Sequence, residues 1–74
     1  MGGFVKPIHN VMEDFKTRLK TEQKELESKL DKLDNFILSD KFKGVDDVQR
    51  ALLQVQATAM NSYNQCLKER LERL

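Results

Sequence analysis

From Ile8 onward the apolar residues Ile8, Met12, Phe15, Leu19, Leu26, Leu30, Leu33, Phe36 and Ile37 return at intervals of mostly three, four or seven, the spacing of one face of an α-helix. Met12, Leu19, Leu26 and Leu33 make a strict seven-residue series. Pro7 suits a first-turn position, where its missing N–H costs no hydrogen bond, and Asp14 with Arg18 and Glu25 with Lys29 set opposite charges four apart. The pattern predicts a first helix over about residues 7–38. The stretch "SDKFKGVDDVQ" then carries the punctuation. Ser39 and Asp40 can bond nearby backbone, Gly44 can take a positive φ, and Asp46 with Gln49 resembles a capping box. A turn is expected over about 39–45 and a second helix over about 46–74. Its apolar set is Val48, Leu52, Val55, Ala59, Met60, Tyr63, Leu67, Leu71 and Leu74.

Two helices of roughly 30 residues are each about 45 Å long, and a connection this short makes them antiparallel neighbours. The expected fold is all-α, an antiparallel two-helix hairpin of coiled-coil type, with residues 1–74 as one domain. Folding about Phe42 sets Leu33 near Leu52, Leu30 near Gln56, Leu26 near Met60, Leu19 near Leu67, Phe15 near Leu71 and Met12 near Leu74. Such a hairpin buries only its seam. The flanks left over favour assembly into a helical bundle, most simply a twofold dimer of hairpins, or a higher ring. The candidate oligomer interface is Met12, Leu19, Leu26, Leu33, Ile37, Leu53, Val55 and Met60.

The stripe of the first helix breaks at "LKTEQKEL", residues 19–26, where Glu22 occupies a place that the pattern reserves for an apolar contact. In the folded register Glu22 and Gln23 come level with Tyr63, near Ser62 and Cys66. Three accounts fit: a polar layer that fixes register and subunit number, a polar pocket between subunits with Tyr63 as a stacking wall, or a solvated waist.

Composition narrows the field. In 74 residues, 39% are hydrophobic, 34% are charged, and only 3 Gly and 1 Pro occur, which suits one small helical domain. A core of this size rarely supplies more than about 3–5 kcal/mol, so a partner subunit is the expected supplement. The lone Cys66 closes no internal bridge, and a cytosolic setting follows. A net charge of +1 with intermingled signs argues against a dedicated DNA or RNA binder. The longest apolar runs, "FIL" and "ALL", are far too short for a membrane span, no signal-peptide pattern is present, and Lys6 stands where myristoylation wants Ser or Thr.

Candidate chemistry is sparse. His9 is the only histidine, and no metal site or cofactor is expected within one chain. No nucleophile elbow is present and the Glu-x-x-His signature of di-iron bundles is missing, so catalysis is not expected. One electrostatic feature stands out. The start of the first helix offers free backbone N–H groups beside Lys6 and His9, and the hairpin brings Lys68, Arg70 and Arg73 to the same end. That end can hold an anion such as a phosphate, although Glu13, Asp14, Glu69 and Glu72 are interspersed and make a salt-laced helix end the competing reading. The candidate ligand residues are Lys6, His9, Tyr63, Arg70 and Arg73. At the turn, Phe42 is expected to tuck under the hairpin as a plug.

The run "LDKLDNFILSDKFKGVDDVQRALLQVQATAMNSYNQCLKERL" resembles a family of short, functionally uncharacterised tailed-phage helical-hairpin proteins. The matching positions are Leu33, Phe36, Ile37, Ser39, Phe42, Leu52, Leu53, Gln56, Ala59, Met60, Tyr63, Leu67 and Arg70, and the likeness starts near Leu26. The resemblance implies a non-catalytic phage accessory protein in the host bacterial cytoplasm. By analogy with such products, it would counter host defence by sequestering an immune factor or an anionic nucleotide signal, such as a cyclic nucleotide, in an oligomeric helical assembly. The alternative is a helical interaction module that dimerises and adapts or inhibits a host or phage protein.

Overall fold

The computed structural model of the chain describes residues 8–74, with side chains from Val11 onward. Helix α1 runs Ile8–Ile37, a 3₁₀ turn spans Asp40–Gly44, and helix α2 runs Asp47–Glu72; no strand occurs among the described residues. Neither helix contains Gly or Pro, so nothing in their interiors interrupts the backbone ladder. They are about 45 and 39 Å long and pack against each other as an antiparallel hairpin.

The turn closes by a relay of short-range bonds. Leu38 N–H donates to Asp34 C=O at 3.1 Å, Ser39 N–H to Phe36 C=O at 3.0 Å, Phe42 N–H to Ser39 C=O at 3.2 Å, and Val45 N–H to Phe42 C=O at 3.1 Å. The Ser39 hydroxyl donates to the same Phe36 carbonyl at 2.6 Å. This holds Phe42 inward, where it is buried and meets Phe36 edge to face with centroids 6.0 Å apart. The expected plug is therefore present. Gly44 departs from expectation: no described glycine has a positive φ, and a Cβ built on Gly44 meets nothing within 4 Å. Its neighbours take up the reversal instead, with Ser39 and Val45 both extended. Asp46 caps α2 as its position predicts, its Oδ2 accepting from Val48 N–H at 3.1 Å and Gln49 N–H at 3.3 Å.

The seam follows a regular alternation of four and three. On α1 it is Leu19, Gln23, Leu26, Leu30, Leu33 and Ile37; on α2 it is Leu53, Ala57, Met60, Asn64, Leu67 and Leu71. Every one of these is buried or half-buried. Two expectations are corrected. Leu52 and Gln56 do not face α1, since both are exposed and Leu53 and Ala57 take those places. Leu19 is 3% exposed between the chain's own helices, so it has no surface left to offer another copy. The core is small: among the described residues only Leu19, Leu30, Phe42 and Leu67, with the polar Asn64, are buried.

Two substitutions test the turn. Asp46→Ala is expected to lower unfolding stability in urea by about 0.5–2 kcal/mol, the ordinary cost of a lost N-cap. Gly44→Ala is expected to leave stability unchanged or raise it by about 0.4–1 kcal/mol through the unfolded chain. A clear loss in Gly44→Ala would show that the turn needs glycine after all.

Candidate functional site

The break in the hydrophobic stripe is a hydrogen-bonded clasp across the seam. Gln23 and Asn64 are the one polar residue in each stripe, and they face each other because their helices run in opposite directions. The Gln23 side-chain N–H donates to Asn64 Oδ1 at 2.9 Å and to Glu27 Oε1 at 3.0 Å. Asn64 Nδ2 donates to the same Glu27 oxygen at 3.2 Å, and Lys68 Nζ reaches it at 2.9 Å. Both ends of the Asn64 amide are thus satisfied while the residue is only 4% exposed. At the rim, the Tyr63 hydroxyl donates to Glu22 Oε2.

Glu27 is the anionic member, and its neighbours hold its carboxyl below the usual 4.5. The hydrogen bond from Lys68 contributes most, followed by that from Asn64, the Lys68 charge and, last, Gln23, with partial desolvation opposing them. Of the three readings of the break, a polar layer agrees with this geometry, and it lies within one chain. The seam position is Gln23 rather than Glu22, which sits exposed on the flank. Asn64 escaped the reading of the sequence altogether. Its signal is its place four after Met60 and three before Leu67, on the stripe itself.

The second candidate region is the end of the hairpin away from the turn. The Arg70 guanidinium lies over the Phe15 ring, 5.9 Å from its centroid, an arrangement worth about 0.5–1 kcal/mol at an exposed site. Met12, Glu13 and Lys16 of α1 and Arg73 and Leu74 of α2 line one hollow of about 350 Å³. Cys66, Glu69, Arg70 and Arg73 line a neighbouring one of about 340 Å³. Arg70 and Arg73 therefore share a region, as expected, and Lys16 joins it as a further cation, one that its place in the sequence does not single out. Its charge is mixed, because Glu13 and Glu69 are in the same linings. Lys6 lies outside the described residues, and His9 is in the first turn of α1 with its side chain outside them. Tyr63 belongs to the clasp instead. It is ten residues from Arg73 on α2, about 15 Å along the axis, so within one chain it does not share the Arg73 hollow.

Fold and site together define a small antiparallel helical hairpin, pinned across its middle by a polar clasp and carrying an arginine-rich end. The Sequestin family model matches residues 13–73, a span that takes in the whole clasp and, at the far end, Phe15, Lys16, Arg70 and Arg73. The chain belongs to the Sequestin family. It is also 37% identical over 57 residues to the "Uncharacterized 7.5 kDa protein in denB-rIIB intergenic region" of Enterobacteria phage T4, covering 77% of this chain and 89% of that one. No solved structure matches. Among the described residues, no helix is long and apolar enough to cross a membrane, and no group of three or more His, Cys, Asp or Glu is placed to hold a metal ion.

The clasp makes two predictions. Asn64→Ala takes away one of the two acceptors of the Gln23 amide and one donor to Glu27 and is expected to cost about 1–3 kcal/mol, whereas Gln23→Leu with Asn64→Leu, which removes both partners, is expected to be nearly neutral or stabilising; equal losses in both variants would contradict the clasp. Because Glu27 is held below 4.5 when folded, it stabilises the protein above that pH, and the contribution fades as pH falls through the lower folded value. Melting temperature followed through that acid range is expected to fall less steeply in Glu27→Gln than in the wild type.

Proposed function

We propose that this protein is a non-catalytic phage accessory protein that acts by binding in the host cytoplasm, as an oligomer of hairpins that sequesters a host immune factor or an anionic nucleotide signal. The observation that carries this reading is the arginine-rich end, where Lys16 and Arg73 line one hollow, Arg70 and Arg73 line its neighbour, and the Arg70 guanidinium lies over the Phe15 ring. A planar guanidinium recognises phosphate through its fork of donors, and an aromatic ring beside it offers a base a stacking surface. Membership of a family called Sequestin, with a relative in phage T4, supports both the binding role and the phage setting. In this reading Lys6 and His9 extend the cationic end from the start of the chain. Tyr63 contributes where a second copy brings it near. No cofactor is required.

The second reading is a helical interaction module that adapts or inhibits a host or phage protein, and it is favoured by the exposed apolar residues of α2. Isothermal titration calorimetry against a panel of cyclic nucleotides separates the two. The sequestration reading expects saturable heat from at least one of them, weakened at least tenfold by Arg73→Glu and by higher salt. Heat from none, with one host protein recovered stoichiometrically on the tagged chain, would replace it with the second reading.

A further inference from the structure

The arginine-rich end keeps Phe15 under one of its own arginines. Phe15 is 39% exposed, yet the Arg70 guanidinium stands over its ring at 5.9 Å from the centroid, near the outer limit of such contacts. Arg70 also borders the hollow that Cys66, Glu69 and Arg73 line. One side chain therefore stands between an aromatic face and a basic hollow. Each hollow at this end sets two cations against one carboxylate: Lys16 and Arg73 against Glu13 in one, Arg70 and Arg73 against Glu69 in the other. Among the described residues neither Arg70 nor Arg73 makes an ion pair, so both guanidinium forks keep their donors for an incoming anion.

We propose that Arg70 is a specificity-determining latch, covering the Phe15 ring until a phosphate draws the guanidinium away and leaves the ring to a base. The inference rests on the nucleotide form of the function proposed above and concerns how that site selects. A guanidinium gains more from charge-assisted hydrogen bonds to a phosphate than from an exposed aromatic face, so phosphate wins the exchange. A base has no such means. It carries no anion to recruit Arg70, and while Arg70 stays, that face of the ring is occupied. Phosphate and base therefore assist each other through one side chain, and by linkage the assistance is equal in both directions. A free phosphate leaves Phe15 bare, a free nucleoside has to displace a cation, and only a ligand that carries both groups fills the site without loss. The latch lies within one chain, because Phe15 of α1 and Arg70 of α2 meet across the hairpin's own two helices.

Nuclear magnetic resonance titration of the full chain with inorganic phosphate, adenosine and adenosine 5′-monophosphate tests the latch. Cross-relaxation between the Phe15 ring and the Arg70 side chain is expected in the free protein and should vanish at saturating phosphate. Phe15→Leu, which frees Arg70, should bind inorganic phosphate about two- to fivefold more tightly, the factor that an exposed cation–π contact is worth. Arg70→Gln should bind adenosine more tightly than the wild type does, by a similar factor, and adenosine 5′-monophosphate less tightly. Both residues are exposed, so helical circular dichroism should be unchanged in both variants, and the wild-type cross-relaxation decides the matter whatever they do to folding. Phosphate binding that is equal or weaker in Phe15→Leu, or a Phe15–Arg70 contact that persists at saturating phosphate, would overturn the latch while leaving the sequestration reading in place. No response to any of the three probes would overturn the latch as well, and the cyclic nucleotide titrations above then decide the wider reading by themselves.

Discussion

Two helices laid side by side have one line along which to bury anything, and this chain spends the middle of that line on hydrogen bonds. Gln23 and Asn64, joined through Glu27 beside the seam, occupy the place where further apolar contacts would have added to a core of only a few buried side chains. Apolar residues there would stabilise the hairpin at least as well, because a satisfied buried polar group contributes little net free energy. What the clasp supplies is register. A slip of one seven-residue repeat would set Asn64 against Leu30 or Lys16 and Gln23 against Ala57 or Leu71, leaving amide groups without partners in a region that water reaches poorly. A purely apolar seam of repeating four-three spacing would pay no such penalty.

The ends of the molecule depend on that register. With Gln23 opposite Asn64, Arg70 comes over Phe15, and Met12 and Lys16 come beside Arg73 and Leu74. A slip by one repeat would separate Arg70 from its aromatic platform by about 10 Å and take the paired hollows apart. At the other end, Ser39 and Asp46 bind the chain entering and leaving the turn, and Phe42 closes the seam against Phe36. Clasp, plug and cap therefore act together: the local bonds set where each helix ends, and the clasp sets how the two run past each other.

Much of this was legible in the sequence because it rests on periodicity and local chemistry. The two helices follow from apolar spacing uninterrupted by Gly or Pro, and the Asp46 cap and the Phe42 plug follow from residue type beside a turn. The pairings of Leu19, Leu26 and Phe15 with the second helix have the register that the Arg70–Phe15 contact and the clasp display. The first half of α2 is ambiguous in the sequence for a physical reason. It carries two stripes of identical spacing, Val48 to Ala59 on one face and Leu53 to Leu71 on the other, and the second is disguised by small and polar members, Ala57 and Asn64. Hydrophobicity alone follows the brighter stripe. Asn64 gives no signal by its residue type, since an amide declares itself as a core residue only when its partner, Gln23, is already known to lie across from it. Gly44 looked like a positive-φ turn residue, but the reversal is distributed over Ser39 and Val45. The arginine-rich end was visible as basic residues near two helix termini, while the platform offered by Phe15 needed the fold.

The most direct test of the clasp is nuclear magnetic resonance of its side-chain amides in the intact protein. The account expects the Asn64 and Gln23 amide protons to show cross-relaxation with each other and to exchange with water far more slowly than those of exposed Gln54 or Gln65. Fast exchange at Asn64, with no contact to Gln23, would mean that the middle of the hairpin is open to solvent and that something other than these hydrogen bonds holds the helices in register.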